Sequence, residues 1–304
     1  MSRPDATTSE AAASEQEDAA VFARLRPRLI RIAYRMLGSV AEAEDMVQEA
    51  WFRWHQSERT AVRDPKAYLA RIVARLCLDH LKSARVRRES YVGPWLPEPV
   101  IEPSVDPIED DRDDLTLHLM MALESLSPLE RAAFLLHDVF DVGFDEIAET
   151  IDRDPATCRQ LASRARAHVR AARPRYPISA DKGKALAAAF FAAVRNGDMD
   201  TLQTMLAKDV VLYGDGGGKT PAVINPIFGR DKVARFFAAL ARKSAPRFLT
   251  LLRQVTIDGL PGFVSIDPLD ILQTTAIEVE DGKITAIYNV RNPDKLRHVR
   301  AAAS

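Results

Sequence analysis

The chain is short of cysteine and of aromatic residues, and it has no long apolar run. Its two cysteines in 304 residues, Cys77 and Cys158, show no paired spacing. That excludes a disulfide scaffold and a zinc site, and it suits a reducing cytoplasm. No stretch approaches the roughly 18 consecutive apolar residues of a membrane span, so no membrane partner is expected. Residues 1–20 lack the basic start and apolar centre of a secretory signal and read as a disordered, flexible tail. A net charge of one sign is missing too: 42 Lys+Arg against 43 Asp+Glu leaves −1.

That balance hides segments of opposite sign. From Val21 to Arg88 there are 15 Lys/Arg against 7 Asp/Glu, from Glu89 to Asp114 the ratio is 1 to 9, and from Arg153 to Arg175 it is 7 to 1. Two basic blocks flank an acidic strip, which is the charge pattern of a chain that meets a polyanion at two places.

The first block, residues 21–92, reads as helical throughout. Phe22, Leu25, Leu29, Ile32, Ala33 and Met36 recur at helical spacing until Gly38, and Ser39 with Glu42 forms a capping box for the next helix. Asp64-Pro65 opens a third helix whose apolar face is Leu69, Ile72, Val73, Leu76 and Cys77. Residues 93–114 hold five prolines by position 107 and then an acidic run, so they read as an extended linker. Residues 115–173 resume helical spacing. A short helix after Gly143, a turn at Asp152-Arg153 and a longer helix opened by Asp154-Pro155 make a helix-turn-helix pattern.

After a second linker, 174–180, the texture changes. Two helices, a strand at 210–213, the loop GDGGGKT, a further helix at about 231–242 and four alternating runs predict an α+β domain over 181–304 with a mostly antiparallel sheet. Asp281-Gly282 is a hairpin turn signal. The expected fold is multidomain: all-α modules followed by an α+β domain.

Several residues are candidates for binding. Arg71, Arg75, Lys82 and Arg85 line one side of the third helix, with Arg87 and Arg88 at its exit, a stripe suited to phosphates. Tyr68 and His80 are the flat side chains nearby that could stack on unpaired bases. On the long helix, Arg159 and Gln160 suit bidentate contacts to guanine and adenine edges, Thr157 and Ser163 can reach phosphate or base, and Arg166 adds charge. Trp51 and Trp54 read as core. The C-terminal segment has one histidine, His298, and no carboxylate–histidine spacing, so no catalytic residue, metal or cofactor is expected there. DGGGK lacks Walker spacing.

The residues AEDMVQEAWFRW (43–54) resemble the region 2.2 helix of extracytoplasmic-function sigma factors, and LSPLERAAFLLHDVFDVGFDEIAETI with CRQLASRARAHVR resembles their region 4. Residues 181–304 are similar to the SnoaL-like cone domain fused to sigma factors of the SigJ-type group, whose signatures WLPEP (95–99), DGGGK (215–219) and NPDKL (292–296) all stand in order. The resemblance implies a sigma factor that binds core RNA polymerase through the β′ clamp helices and the β flap. Asp45, Gln48 and Glu49 would meet the clamp helices. The third-helix stripe Tyr68, Arg71, Arg75, Lys82 and Arg85 would meet the −10 element, and the second helix of the helix-turn-helix the −35 element of promoter DNA. Family members usually carry Asn where Arg75 stands, so the resemblance implies DNA binding here but not the family's −10 specificity. The acidic strip would follow the RNA-exit path, as sigma linkers do, or serve as a solvated spacer. Trp95, Leu96 and Pro97, Asp215, Gly216, Gly217, Gly218 and Lys219, and Asn292, Pro293, Asp294, Lys295 and Leu296 would form a regulatory contact in cis. The DGGGK loop is expected to be mobile and to dock on the helical modules, with no separate anti-sigma protein required.

Overall fold

The computed structural model describes residues 6–57, 62–89, 91–101, 117–171, 179–244 and 249–301, without the side chains of 6–15, 83–89, 118, 171, 180, 244, 300 and 301. They fall into two compact units: Met1–Arg85 with Leu123–Ala171, and Val86–Ala122 with Ala172–Ser304.

The first unit is helical. α1 (Ala6–Leu37), α2 (Val40–Gln56) and α3 (Pro65–Glu89, to Arg85 in this unit) come from the first block; the end of α4 (Leu117–Glu124, whose first six residues belong to the second unit), α5 (Pro128–Phe134, continued by a π-turn to Val139), α6 (Phe144–Ile151) and α7 (Pro155–Ala171) follow. α1 begins within the segment read as a flexible tail; an Ala- and Glu-rich run has high helix propensity. Ser39 accepts from the Glu42 N–H at 3.2 Å. The Ser127–Glu130 capping box closes in both directions, which satisfies helix-end donors that would otherwise lack partners. Leu29, Ile32, Ala33, Met36, Val47, Trp54, Leu69 and Val73 are buried, as are Leu123, Leu135 and Ile147 of the later helices.

Three arginines join the two helical segments within this unit. The buried Arg131 of α5 donates to the Met36 carbonyl at 2.6 Å and to Glu124 at 2.7 Å. Arg28 donates to the Val139 carbonyl at 3.2 Å and lies 4.9 Å from the Phe140 ring centre. Arg71 of α3 lies 3.9 Å from Glu146 and 3.8 Å from Glu149 of α6.

The second unit is built on a six-stranded sheet in the order β2-β1-β6-β5-β4-β3. The strands are β1 (Leu206–Asp215), β2 (Ile227–Phe228), β3 (Thr250–Ile257), β4 (Leu260–Ile266), β5 (Leu272–Glu280) and β6 (Lys283–Val290), with helices α8 (Ala180–Asn196), α9 (Met199–Met205), α10 (Arg230–Ser244) and α11 (Arg297–Ala301). β1 runs parallel to β6; the other pairs are antiparallel. Asp281-Gly282, and likewise Asp258-Gly259, take positive φ at both positions, which fits the turn to the twist of the flanking strands. β2 and the first four residues of β1 were not expected; β2 is only two residues long, too short to show alternation.

Strand alternation splits the core in two. Phe263, Ile277, Ile284 and Ile287 pack with Phe190, Leu202 and Phe237 of the helices. Val264, Ala276, Ala286 and Tyr288 pack with Leu96, Leu117, Leu296 and Val299. The second face is thus covered by the linker and the turn after β6. Ile101 bridges to Ile257, and Asp258 exchanges backbone hydrogen bonds with Val100 and Leu117. The acidic strip 102–114 lies outside the described residues, as does most of the linker 174–180.

Candidate nucleic-acid interface and linker strap

On α2, burial of Ala43, Val47, Ala50 and Trp54 leaves Asp45, Gln48 and Glu49 exposed. Phe52 stands seven residues beyond Asp45 on that same face and is 52% exposed, an apolar side chain amid acidic and amide groups that the sequence reading passed over. The signal was there in the i, i+3, i+4, i+7 spacing. Trp54 is buried, while Trp51 is half-buried against Phe22 at 4.9 Å.

On α3, Arg75 and Lys82 are exposed, and Lys82 is paired with Asp79 at 2.8 Å. Arg71 faces α6 as described above. Tyr68 is half-buried between Trp54, 5.9 Å away, and the Arg71 guanidinium. His80 sits 3.1 Å from Glu42, so its ring is already engaged. The side chains of Arg85, Arg87 and Arg88 lie outside the described residues.

On α7, Asp154 caps the helix, accepting from the Thr157 N–H at 2.8 Å and the Thr157 hydroxyl at 2.6 Å. These bonds hold the Asp154 carboxyl below its usual range. They also leave the Thr157 hydroxyl committed. Arg159, Gln160 and Ser163 are exposed, with the Arg159 guanidinium over the Phe144 ring at 5.5 Å. Arg166 does not stand free beside them: its Nε donates to Asp138 at 2.5 Å. Arg164, which the sequence reading did not single out, is exposed one turn after Gln160. Cys158 and Cys77 are buried, and desolvation pushes both thiols up, away from the reactive thiolate.

The three signatures of the second unit meet one another. Asp215, the last residue of β1, is fully buried. It accepts from the Tyr91 hydroxyl at 2.5 Å, the Leu96 N–H at 2.9 Å and Lys295 Nζ at 2.8 Å. Lys295 also donates to the Leu96 carbonyl and lies 3.9 Å from the Trp95 ring centre. A lysine ammonium buried here is stabilised by a carboxylate, a carbonyl and an aromatic face together. Asn292 donates to the Tyr91 hydroxyl at 2.8 Å, and Lys219 pairs with Asp294. Gly217 has φ +59, and a Cβ there would stand 2.2 Å from the Asn292 amide nitrogen; only glycine fits both the dihedral and the approach. Within its own unit, the loop read as mobile is closed on residues 91–96 and 292–294. His298 Nε2 donates to the Pro99 carbonyl at 2.7 Å. Tyr91 carries as much of this arrangement as the signatures do, yet nothing in its sequence context marks it.

The strap has a defined pH window. The Lys219 hydrogen bond, with Arg297 beside it, holds Asp294 below the usual carboxylate range. Its contribution is present above about pH 4 and is lost as pH falls through the lowered value. Tyr91 is pushed up, first by burial and then by Asp215. Its neutral, donating form is favoured in the folded protein, so its contribution is fully present below the ordinary tyrosine value of about 10 and is lost as pH rises from there through the raised value. A spectrophotometric tyrosinate titration of wild type minus Tyr91→Phe is expected to show a group titrating well above that of free tyrosine. A difference curve centred at the ordinary value contradicts the buried Tyr91–Asp215 bond.

The comparisons with known proteins agree with this geometry. Residues 21–87 match the Sigma-70 region 2 family and residues 117–169 match Sigma-70 region 4. The ECF RNA polymerase sigma factor SigJ of Mycobacterium tuberculosis (strain ATCC 25618 / H37Rv) is 41% identical over 288 residues, covering 90% of this chain and 91% of the relative. A probable ECF RNA polymerase sigma factor SigI of the same species (strain CDC 1551 / Oshkosh) is 34% identical over 91% of this chain and 93% of its own. The crystal structure of M. tuberculosis SigJ superposes with a TM-score of 0.72 at 36% identity, over 92% of this chain and 98% of that one. Two sigma regions in order, the three strap signatures and full-length likeness to such proteins converge: this chain belongs to the extracytoplasmic-function RNA polymerase sigma factors of transcription initiation, with a SnoaL-like domain following region 4.

Proposed function

We infer that this chain directs bacterial core RNA polymerase to specific promoters and that its C-terminal domain governs, in cis, when it can do so. The observation that carries the reading is the Asp215–Lys295–Leu96 strap. The linker joining regions 2 and 4 is fastened to the SnoaL-like domain, so the two regions can spread onto polymerase and promoter only as far as that fastening allows. Within the first unit Arg71 faces Glu146 and Glu149, which supports a resting form in which part of the −10 surface is neutralised by region 4. Release of the strap and of these contacts shifts the population to the open form. A tethered regulator acts at an effective concentration on the order of millimolar, so no separate anti-sigma protein is required.

The exposed face of Asp45, Gln48, Glu49 and Phe52 suits a basic partner helix such as the β′ clamp helices, with Phe52 as the apolar contact at its centre. Arg75 and Lys82 would serve the −10 element, and Arg159, Gln160 and Ser163, with Arg164, the −35 major groove.

The SnoaL-like domain is proposed to be non-catalytic. Its cavity is lined, among the described residues, by neither histidine nor tyrosine. The one carboxylate there, Asp267, is engaged by Arg291 and the N–H groups of Leu269 and Ile271, which supports a structural role for it.

Run-off transcription with purified core polymerase tests the regulatory reading. Full-length protein and a truncation after Ile178 are expected to differ in transcript yield by at least roughly fivefold, the size of a 1 kcal/mol bias. Equal yields overturn regulation in cis, and no transcript with either overturns the sigma-factor reading.

A further inference from the structure

The SnoaL-like domain encloses a cavity of about 780 Å³ between the sheet and α8 and α10. Most of its wall is apolar, with Leu212, Phe237, Phe263 and Ile287 among the lining side chains. That size and character fit a drug-sized molecule.

The polar groups are gathered around Arg291, and their hydrogen-bonding capacity is unevenly spent. Arg291 donates to Gln273 at 3.0 Å and to Asp267 at 2.5 Å. Gln273 also accepts from Asn289, and Asn289 donates further to Thr275 at 3.0 Å. The Gln273 side-chain oxygen is therefore engaged twice, and Asp267 is held by Arg291. The Arg291 Nε, by contrast, is buried and has no hydrogen-bond partner among the described residues. A buried guanidinium N–H left unmatched is costly, so turning the Arg291 side chain toward an acceptor in the cavity is favoured.

The same residue touches the strap. Asn289 and Val290 pair in register with Gly214 and Asp215. The Arg291 N–H donates to the Asp215 carbonyl at 2.7 Å, and its own carbonyl accepts from Thr220 at 3.1 Å. Asn292, next in the chain, bonds Tyr91. The backbone around Arg291 is thus bonded directly to the residues of the strap.

We propose that this cavity is a receptor site for a mostly apolar small molecule bearing one hydrogen-bond acceptor group, carbonyl or anionic, anchored at Arg291, and that its occupant loosens the strap through the end of β6. The second half rests on the strap reading given above; binding itself does not.

Two fluorescent probes of one skeleton test it on the full-length protein. Anilinonaphthalene sulfonate carries the acceptor group and N-phenylnaphthylamine lacks it. Saturable one-to-one binding of the sulfonate is expected. Arg291→Met should weaken it by about tenfold, the value of a lost charged hydrogen bond, while N-phenylnaphthylamine changes by less than about twofold. Ala241→Phe, which fills the cavity from α10, should weaken both probes. Equal weakening of both by Arg291→Met, undiminished binding to Ala241→Phe, or no saturable binding overturns the site. If Arg291→Met does not fold, Ala241→Phe with the probe pair on wild type decides it: the sulfonate must bind the tighter. Saturating sulfonate should also raise deuterium uptake of residues 91–101, read by mass spectrometry. Unchanged uptake with the probe bound overturns the coupling and leaves the run-off comparison untouched.

Discussion

Replacing Asp215 by alanine is expected to lower the melting midpoint of the C-terminal unit by roughly 6–20 °C. The change strands the Lys295 ammonium among Leu96, Trp95 and Tyr91, and removing one partner of a buried pair costs about 3–5 kcal/mol. For a body of this size each kcal/mol shifts the midpoint by about 2–4 °C. The Leu96 N–H and the Tyr91 hydroxyl lose their acceptor in the same step. The double replacement Asp215→Leu with Lys295→Met takes away both charges and should recover most of the loss, because a well-packed apolar pair is often no less stable than a buried ion pair. Calorimetry on the full-length protein reads both. A wild-type midpoint for Asp215→Ala would show that the pair does not fasten the linker, and the regulatory reading would fall with it.

Replacing Arg159 by alanine is expected to weaken binding of holoenzyme to its promoter by about 5- to 150-fold, since a bidentate base contact discriminates by about 1–3 kcal/mol. Affinity for unrelated DNA should change far less, because phosphate attraction is spread over the whole basic surface. Arg166→Ala is the matched control. That side chain is committed to Asp138, so its loss should leave promoter affinity within about twofold and show instead in thermal stability. Fluorescence anisotropy with a promoter fragment separates the two variants. Equal losses would mean that Arg166 leaves Asp138 to contact DNA and that the resting geometry of α7 is not the one that binds.

These two experiments probe features that differ in how far sequence alone discloses them. The helix-turn-helix is local: Gly143, Asp152 and the Asp154-Pro155 cap fix the ends of α6 and α7 to within a residue or two, because caps and turns act on backbone groups close in sequence. The exposed set Arg159, Gln160 and Ser163 followed from helical period in the same way. The strands β3 to β6 were legible from alternation, and the Asp281-Gly282 turn from its dihedral demand.

Partnership between distant charges was not legible. Arg71 and Arg166 read as free cations on basic helices, and only the packing of α3 on α6 and of α7 beside Asp138 gives them carboxylate partners. Arg131, an unremarkable cation within a helix, proves to be buried against the Met36 carbonyl. The sequence by itself determined the helical modules, the composition break at the linker, the α+β character of the last domain and the three signatures that place the chain in its family. Tertiary structure alone decided that those signatures close on one another, with Tyr91 among them, and that the linker covers one face of the sheet. The physical reason is range. Capping and periodicity are settled within a few residues, whereas burying Asp215 and Lys295 requires groups about 80 to 200 positions apart to desolvate together, and no local pattern records that cost or its compensation.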